Sequence, residues 1–134
     1  MLIQVIMLGR LHHRNLVNLL GYCIDKGQFM LVYEFMSNGS LQNLLYGEEK
    51  ELGWDERLEI AVHITHGIEY LHERVVPPVV HRDLKYANIL LDHSIRAKNF
   101  LNNMNGHYSV IIPNISMIFP SLCQHSFKMK VEAY

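Results

Sequence analysis

Only two cysteines, Cys23 and Cys123, occur in this chain of 134 residues, which argues against a disulfide-stapled scaffold and suits a reducing compartment. Long apolar runs are missing too. Val110-Ile111-Ile112 and Met117-Ile118-Phe119 come nearest, but Pro113, Asn114 and Ser116 interrupt them, well short of the roughly 20 apolar residues of a membrane helix. No basic segment followed by an apolar core opens the chain, so a secretory leader is not expected. There is no excess of charge of either sign. The formal net charge is -1, so no polyanion-binding surface is implied and nucleic acid is not an expected partner. These absences lead to a cytoplasmic location as the expectation. One absence is local: from Asn99 to Phe127 there is no Asp, Glu, Lys or Arg, and 22 of the 25 charged side chains lie in residues 1–98.

What is present suits one globular domain with a real core. Hydrophobic residues make up 49% and charged residues 19%, a balance that is not that of a disordered chain. The change of composition after Lys98 marks a boundary, dividing the chain into 1–98 and a tail, 99–134, expected to be unrelated and poorly ordered. The tail reads as an alternative exon or a reading frame continued into non-coding sequence. No internal repeat or low-complexity run is visible.

Within 1–98 the periodicities alternate. Leu2 to Leu11 reads as the end of a helix, with Leu2, Val5, Ile6 and Leu8-Gly9 as apolar face and stop. Leu16–Ile24 and Phe29–Met36 are strand-like, and Asp25-Lys26-Gly27 between them predicts an antiparallel hairpin. Ser40 is the expected N-cap of a short helix over Leu41, Leu44 and Leu45. Asp55 is the expected cap of a long helix from Glu56 to about Glu73. Leu58, Ala61, Val62, Thr65, Ile68, Leu71 and His72 share one face of it, and Ile60 and Ile64 widen the stripe. That breadth predicts burial on most sides. Val75-Val76-Pro77-Pro78 ends the helix, because proline cannot continue it.

The stretch His81-Arg82-Asp83-Leu84-Lys85-Tyr86-Ala87-Asn88 carries chemistry at fixed offsets. Asp83 can accept a proton from an incoming hydroxyl, Lys85 can neutralise a transferring phosphoryl group, and the Asn88 amide oxygen can face a magnesium ion. Beside it stand Leu8-Gly9-Arg10-Leu11-His12-His13-Arg14-Asn15-Leu16-Val17, Leu19-Leu20-Gly21-Tyr22-Cys23, Val32-Tyr33-Glu34-Phe35-Met36-Ser37-Asn38-Gly39-Ser40-Leu41 and Tyr70-Leu71-His72. In these motifs residues 4–98 resemble the plant receptor-like serine/threonine kinases, and most nearly the calcium/calmodulin-regulated receptor-like kinases.

The resemblance implies an α+β fold, a fragment of the two-lobed protein-kinase fold. It would hold the end of helix C, one β-hairpin, the hinge, helices D and E and the catalytic loop. Asp83 and Lys85 would be catalytic, and Asn88 would hold magnesium. Tyr33 would be the gatekeeper, and Glu34, Phe35 and Met36 the hinge on which the adenine of ATP lies. Arg82 would pair with a phosphorylated activation segment, for which the sequence shows no counterpart. Leu8 and His81 match two members of the hydrophobic column that ties the lobes. The partner implied is a protein substrate. No basic amphipathic helix supports calmodulin binding.

Other readings of the same residues are weaker. His12-His13, and His63 with His66, lack the paired Cys or His spacing of a zinc site. Asn38-Gly39-Ser40 and Asn114-Ile115-Ser116 match the glycosylation sequon, but a cytosolic domain would not meet that machinery. Glu48-Glu49-Lys50-Glu51 reads as a solvated loop.

Against the parts list of phosphoryl transfer the chain is incomplete. There is no Gly-x-Gly-x-x-Gly, no strand lysine for the phosphates, and Gln4 stands where the resemblance places the partner glutamate. Instead of Asp-Phe-Gly the sequence runs Arg96-Ala97-Lys98-Asn99-Phe100-Leu101, in which Asn99-Phe100 is a chance echo. The expectation is therefore a serine/threonine kinase by family, truncated and inactive alone, with ATP and Mg as cofactors of the family only. The alternatives are a pseudokinase-like interaction module, pairing with a full-length kinase, or a truncated product without function. The hairpin is expected to have bare edges and the long helix an uncovered apolar stripe, which would make the chain aggregation-prone.

Overall fold

A computed structural model describes residues 2–47, 51–81, 83–101, 108–111 and 128–130, the side chains of 2–4, 108–111 and 128–130 excepted. Arg82, the loop at 48–50, Asn114 with its sequon, and Cys123 lie outside the described residues, as does most of the tail expected to be poorly ordered. The chain divides into two compact units, one drawn from Met1–His12, Asn18–Phe35 and Met104–Tyr134, the other from His13–Val17 and Met36–Asn103.

In the first unit helix α1 (Leu2–Gly9) packs on strand β1 (Leu19–Asp25). Val5 and Gly9, one turn apart, are buried, whereas Ile6 and Met7 are exposed, so the apolar face is narrower than its composition predicts. The helix closes with the tighter i to i+3 bonds Arg10 N to Met7 O (3.2 Å) and Leu11 N to Leu8 O (3.1 Å). Strand β1 pairs antiparallel with β2 (Gln28–Tyr33), from Asp25 opposite Gln28 to Leu19 opposite Tyr33. Lys26 (φ 47°) and Gly27 (φ 78°) form the two-residue loop. Positive φ at both positions is the turn whose twist matches that of the strands.

Alternation buries Leu19, Cys23, Phe29 and Leu31, and the Tyr22 and Phe29 rings stack at 5.5 Å. The edges of the hairpin are not bare. Strand β5 (Tyr108–Ile111) runs parallel to β2, and β6 (Lys128–Lys130) runs antiparallel to β1, giving the sheet order β5-β2-β1-β6. The tail itself supplies the edge strands.

The second unit begins with His13–Val17, which is not part of β1 as its apolar residues predict. Val17 N donates to Asn99 O (3.0 Å) and Asn99 N to Asn15 O (2.8 Å), so this segment lies alongside β4 (Ala97–Asn99), which in turn pairs antiparallel with β3 (Ile89–Leu91). Strand β4 therefore runs across the 98/99 junction.

Helix α2 (Leu41–Tyr46) is capped as expected, the Ser40 hydroxyl accepting from Asn43 N at 3.2 Å. The long helix α3 (Trp54–Glu69) begins one residue before Asp55, which does not cap it. Gly53 is the N-cap, and Glu56 reaches back to accept its N–H at 3.2 Å. Asp55 lies in the first turn, where its charge still opposes the helix dipole favourably. The chain continues as a π-turn, Tyr70–Arg74, and stops ahead of Pro77-Pro78.

Of the broad stripe predicted for this helix and its extension, only part is buried. Ile60, Gly67 and Leu71 are buried, with Ile64 packed on the same core, while Leu58, Ala61, Val62, Thr65 and His72 are exposed. The core against this side is Leu41, Leu52, Ile60, Ile89, Leu91 and Ala97. Among the described residues no helix is long and apolar enough to cross a membrane.

Candidate active site

The loop from His81 to Lys85 leads into a single 3-10 turn, Tyr86–Asn88, and then into β3. That turn is fixed by Asn88 N donating to Lys85 O (2.9 Å) and by Phe100 N donating to Asn88 O (2.8 Å). His81 is buried and its Nδ1 accepts from Asp83 N at 3.3 Å. Burial lowers the His81 pKa against the opposing pull of the Phe100 backbone and Asp83.

Folding brings Asp83, Lys85 and Asn88 together. Lys85 Nζ lies 3.1 Å from Asp83 Oδ2. Asn88, buried at 6% exposure, donates its Nδ2 to both Asp83 O and Asp83 Oδ2, each at 2.9 Å. Lys85 above all, and Asn88 after it, hold the Asp83 pKa below the ordinary carboxylate value. An ionised carboxylate oriented by an amide and an ammonium can accept a proton from a hydroxyl. With both Nδ2 protons committed to Asp83, the Asn88 Oδ1 is the group left to face a cation.

That donor set does not fit magnesium by itself. Mg²⁺ takes near-octahedral oxygen ligation, built on carboxylates and substrate phosphates. Here Asp83 Oδ2 is engaged by an ammonium, and Asn88 contributes one amide oxygen. Asn99, the chance echo of the metal-binding Asp, carries no carboxylate and has no accessible surface. Its Nδ2 donates to Asn15 O (3.1 Å) and Ile64 O (3.3 Å), facing the core and not the loop. No group of three or more His, Cys, Asp or Glu that could hold a metal ion occurs among the described residues. His13 Nδ1 and His63 Nδ1 each accept a backbone N–H, from Asn15 (3.0 Å) and Ala97 (3.2 Å).

The residues expected at the adenine fall in different units. Tyr33 closes β2 at 2% exposure, and burial pushes its phenol up to about 12. Glu34 bridges to Asn18 twice, N to Asn18 O (3.0 Å) and Oε1 from Asn18 N (2.9 Å). Phe35 is exposed. These three belong to the first unit. Met36 belongs to the second, is buried, and its carbonyl accepts from Gly39 N at 3.2 Å. Leu8 is half-buried in the first unit.

One structural element went unread in the sequence. Asn15 is fully buried and its Nδ2 donates to Ala97 O at 3.0 Å, so with Asn99 it ties the 13–17 segment to β4 and α3. Gly67 permits this, because a Cβ there would collide with Asn99 Nδ2 and stand 2.7 Å from Asn15 O. A glycine inside a helical pattern is the available signal for such an approach.

Residues 1–101 match the family model of protein tyrosine and serine/threonine kinases. The chain is 73% identical over 97 residues to calcium/calmodulin-regulated receptor-like kinase 2 of Arabidopsis thaliana and 60% identical over 96 residues to receptor-like kinase 1 of the same name and organism. Each match covers 71% of this chain and 22% of the relative, so the chain spans about a fifth of their length. Among solved structures, the pseudokinase domain of BIR2, described as an immune regulator of the RLK/Pelle family, matches with a TM-score of 0.70 at 30% identity, over 87% of this chain and 40% of that one. The chain belongs to the protein kinases, and the part of that fold it spans contains the loop built around Asp83.

Proposed function

We propose that the chain carries the catalytic-loop portion of an ATP-dependent serine/threonine protein kinase and that these 134 residues transfer no phosphate on their own. In a whole kinase domain Asp83 would be the base toward a protein hydroxyl, Lys85 the partner of the transferring phosphoryl group, and Asn88 one ligand of a magnesium ion that other groups must also hold. Tyr33, Glu34, Phe35 and Met36 are the adenine-side residues. One observation carries the reading: the Lys85–Asp83–Asn88 cluster is assembled, with contacts of 2.9–3.1 Å, while no Asp-Phe-Gly run follows it in the sequence. Base help contributes about 10² to 10⁴ in rate, and charge stabilisation is usually the larger contribution. The cluster supplies the first and not the second.

The alternative is a non-catalytic module that pairs with a full-length kinase. Gln4 and the missing metal Asp are compatible with it, as is the likeness to a pseudokinase domain. Residues 1–98 form the kinase part in either case, with 99–134 a tail of separate origin, and the location is cytoplasmic. Radiolabel transfer from ATP to a generic protein substrate, with the Asp83→Asn variant as control, tests activity. Incorporation at background in both is expected, and Asp83-dependent incorporation would overturn the reading. Co-purification with a full-length kinase separates an interaction module from a product without function.

A further inference from the structure

Away from the catalytic loop, the second unit has a cleft of about 450 Å³ lined by His13, Arg14, His66, Glu69, Tyr70 and Arg74. His66, Glu69, Tyr70 and Arg74 follow one another on a single side of α3 and its π-turn, at the spacing that places side chains above one another. His13 and Arg14 come from the facing loop. The His13 and Tyr70 rings stack at 4.9 Å with 27° between planes. The loop is rigidly held, because Asn15 beside it is fully buried and bonded to Ala97 O.

The charges of this cleft are unbalanced. Its formal charge is +1 from two guanidinium groups and one carboxylate, rising to +3 when both imidazoles are protonated. Neither Arg14, Arg74 nor Glu69 makes an ion pair among the described residues. Because His13 Nδ1 accepts the Asn15 N–H, the proton of the neutral ring sits on Nε2, a donor.

We propose that this cleft binds a phosphoryl dianion between the guanidinium groups of Arg14 and Arg74, with His13 and His66 as further donors. Planar guanidinium forks match phosphate oxygens pairwise, and a dianion fits a cleft whose charge runs from +1 to +3. The same charges act on His13: burial first, then Arg14, His66 and Arg74, lower its pKa, and only Glu69 opposes them. A bound dianion reverses that field, so binding draws a proton onto His13 and, by reciprocity, acid strengthens binding. The dianion is either free phosphate or a phosphoserine side chain of a protein.

The test is a titration of the full chain followed by the imidazole signals of its histidines in NMR, with sulfate, inorganic phosphate and a phosphoserine peptide as ligands. Sulfate stays a dianion throughout, so its pH dependence reports the protein alone. The His13 and His66 signals should move together and saturate while that of exposed His93 stays put, and sulfate should bind about fivefold tighter at pH 6.0 than at pH 7.5. Arg14→Gln with Arg74→Gln should weaken binding about tenfold or more. Glu69→Gln should tighten it severalfold, a gain that misfolding cannot produce. A peptide that binds more tightly than inorganic phosphate identifies a phosphorylated protein as the source, and equal affinities identify phosphate itself. Shifts spread over all histidines without saturation, or a Glu69→Gln variant that binds no tighter, would overturn the proposal.

Discussion

Single residues in this chain are decided by close backbone approaches and by buried polar groups. Gly67 is the clearest case. Alanine there gains about 1 kcal/mol of helix propensity, but overpacking typically costs 1–3 kcal/mol, and the atoms in the way include a backbone oxygen that cannot rotate aside. Gly67→Ala should therefore lower stability by about 1 kcal/mol net, read from urea unfolding; an unchanged midpoint would contradict the packing described.

Histidines set the pH dependence. Burial lowers the pKa of His13, His63 and His81 below 6.5. The unfolded chain then binds more protons than the folded one, so stability is full above about pH 6.5 and is lost as pH falls through the folded pKa values. Asp83, whose pKa is lowered, adds a loss of the same sign only below its ordinary value of 3.8. Thermal melts should thus give a clearly lower Tm at pH 5.0 than at pH 7.5, and equal values would show these rings to be solvated. The Asp83, Lys85 and Asn88 cluster was legible from sequence because its offsets are fixed within one loop. The Asn15–Asn99 contact was not, because its partners are 84 residues apart and neither has a distinctive spacing.

Elements follow local signals closely where the signal is a turn or a cap, and less closely where it is a face. Lys26-Gly27 and Ser40 each act where expected, since backbone sign and a hydroxyl acceptor operate within a few residues. Helix α3 shows the limit. Apolar residues run almost all round it, so periodicity alone cannot say which side meets β3 and β4; the side with Ile60, Ile64, Gly67 and Leu71 does. Strand β1 starts late for a similar reason, as Leu16 and Val17 have a competing partner in β4.

The β3–β4 turn depends on Asp92. Its Oδ1 accepts from Ser94 N (2.8 Å) and Arg96 N (2.9 Å), and Ile95 sits between them at φ 61°, an unfavourable conformation for a β-branched residue. Hydrogen bonds to a charged acceptor are worth about 1.5–3 kcal/mol, so Asp92→Ala should cost about 2 kcal/mol in this exposed setting and raise hydrogen exchange at Ser94 and Arg96. Protection unchanged at both amides would show that the side chain is dispensable.

At the scale of the whole molecule the question is which apolar surface remains open to other chains. The hairpin alone would offer two edges; β5 and β6 cover both and become the edges of the sheet, where their shortness, four and three residues, limits strand addition. The exposed side of α3 is different. Leu58 is 49% exposed and Val62 50%, with Ala61 and Thr65 beside them one turn apart, and no strand or helix among the described residues covers them. Contiguous apolar surface of this kind drives self-association, and a charge placed in it opposes association without removing a core contact. Leu58→Lys together with Val62→Glu, an oppositely charged pair one helical turn apart, should leave the melting temperature within a few degrees and shift the chain toward monomer in analytical ultracentrifugation. A variant that still associates as the parent does would move the sticky surface elsewhere. One that unfolds would show that Leu58 and Val62 belong to a core after all.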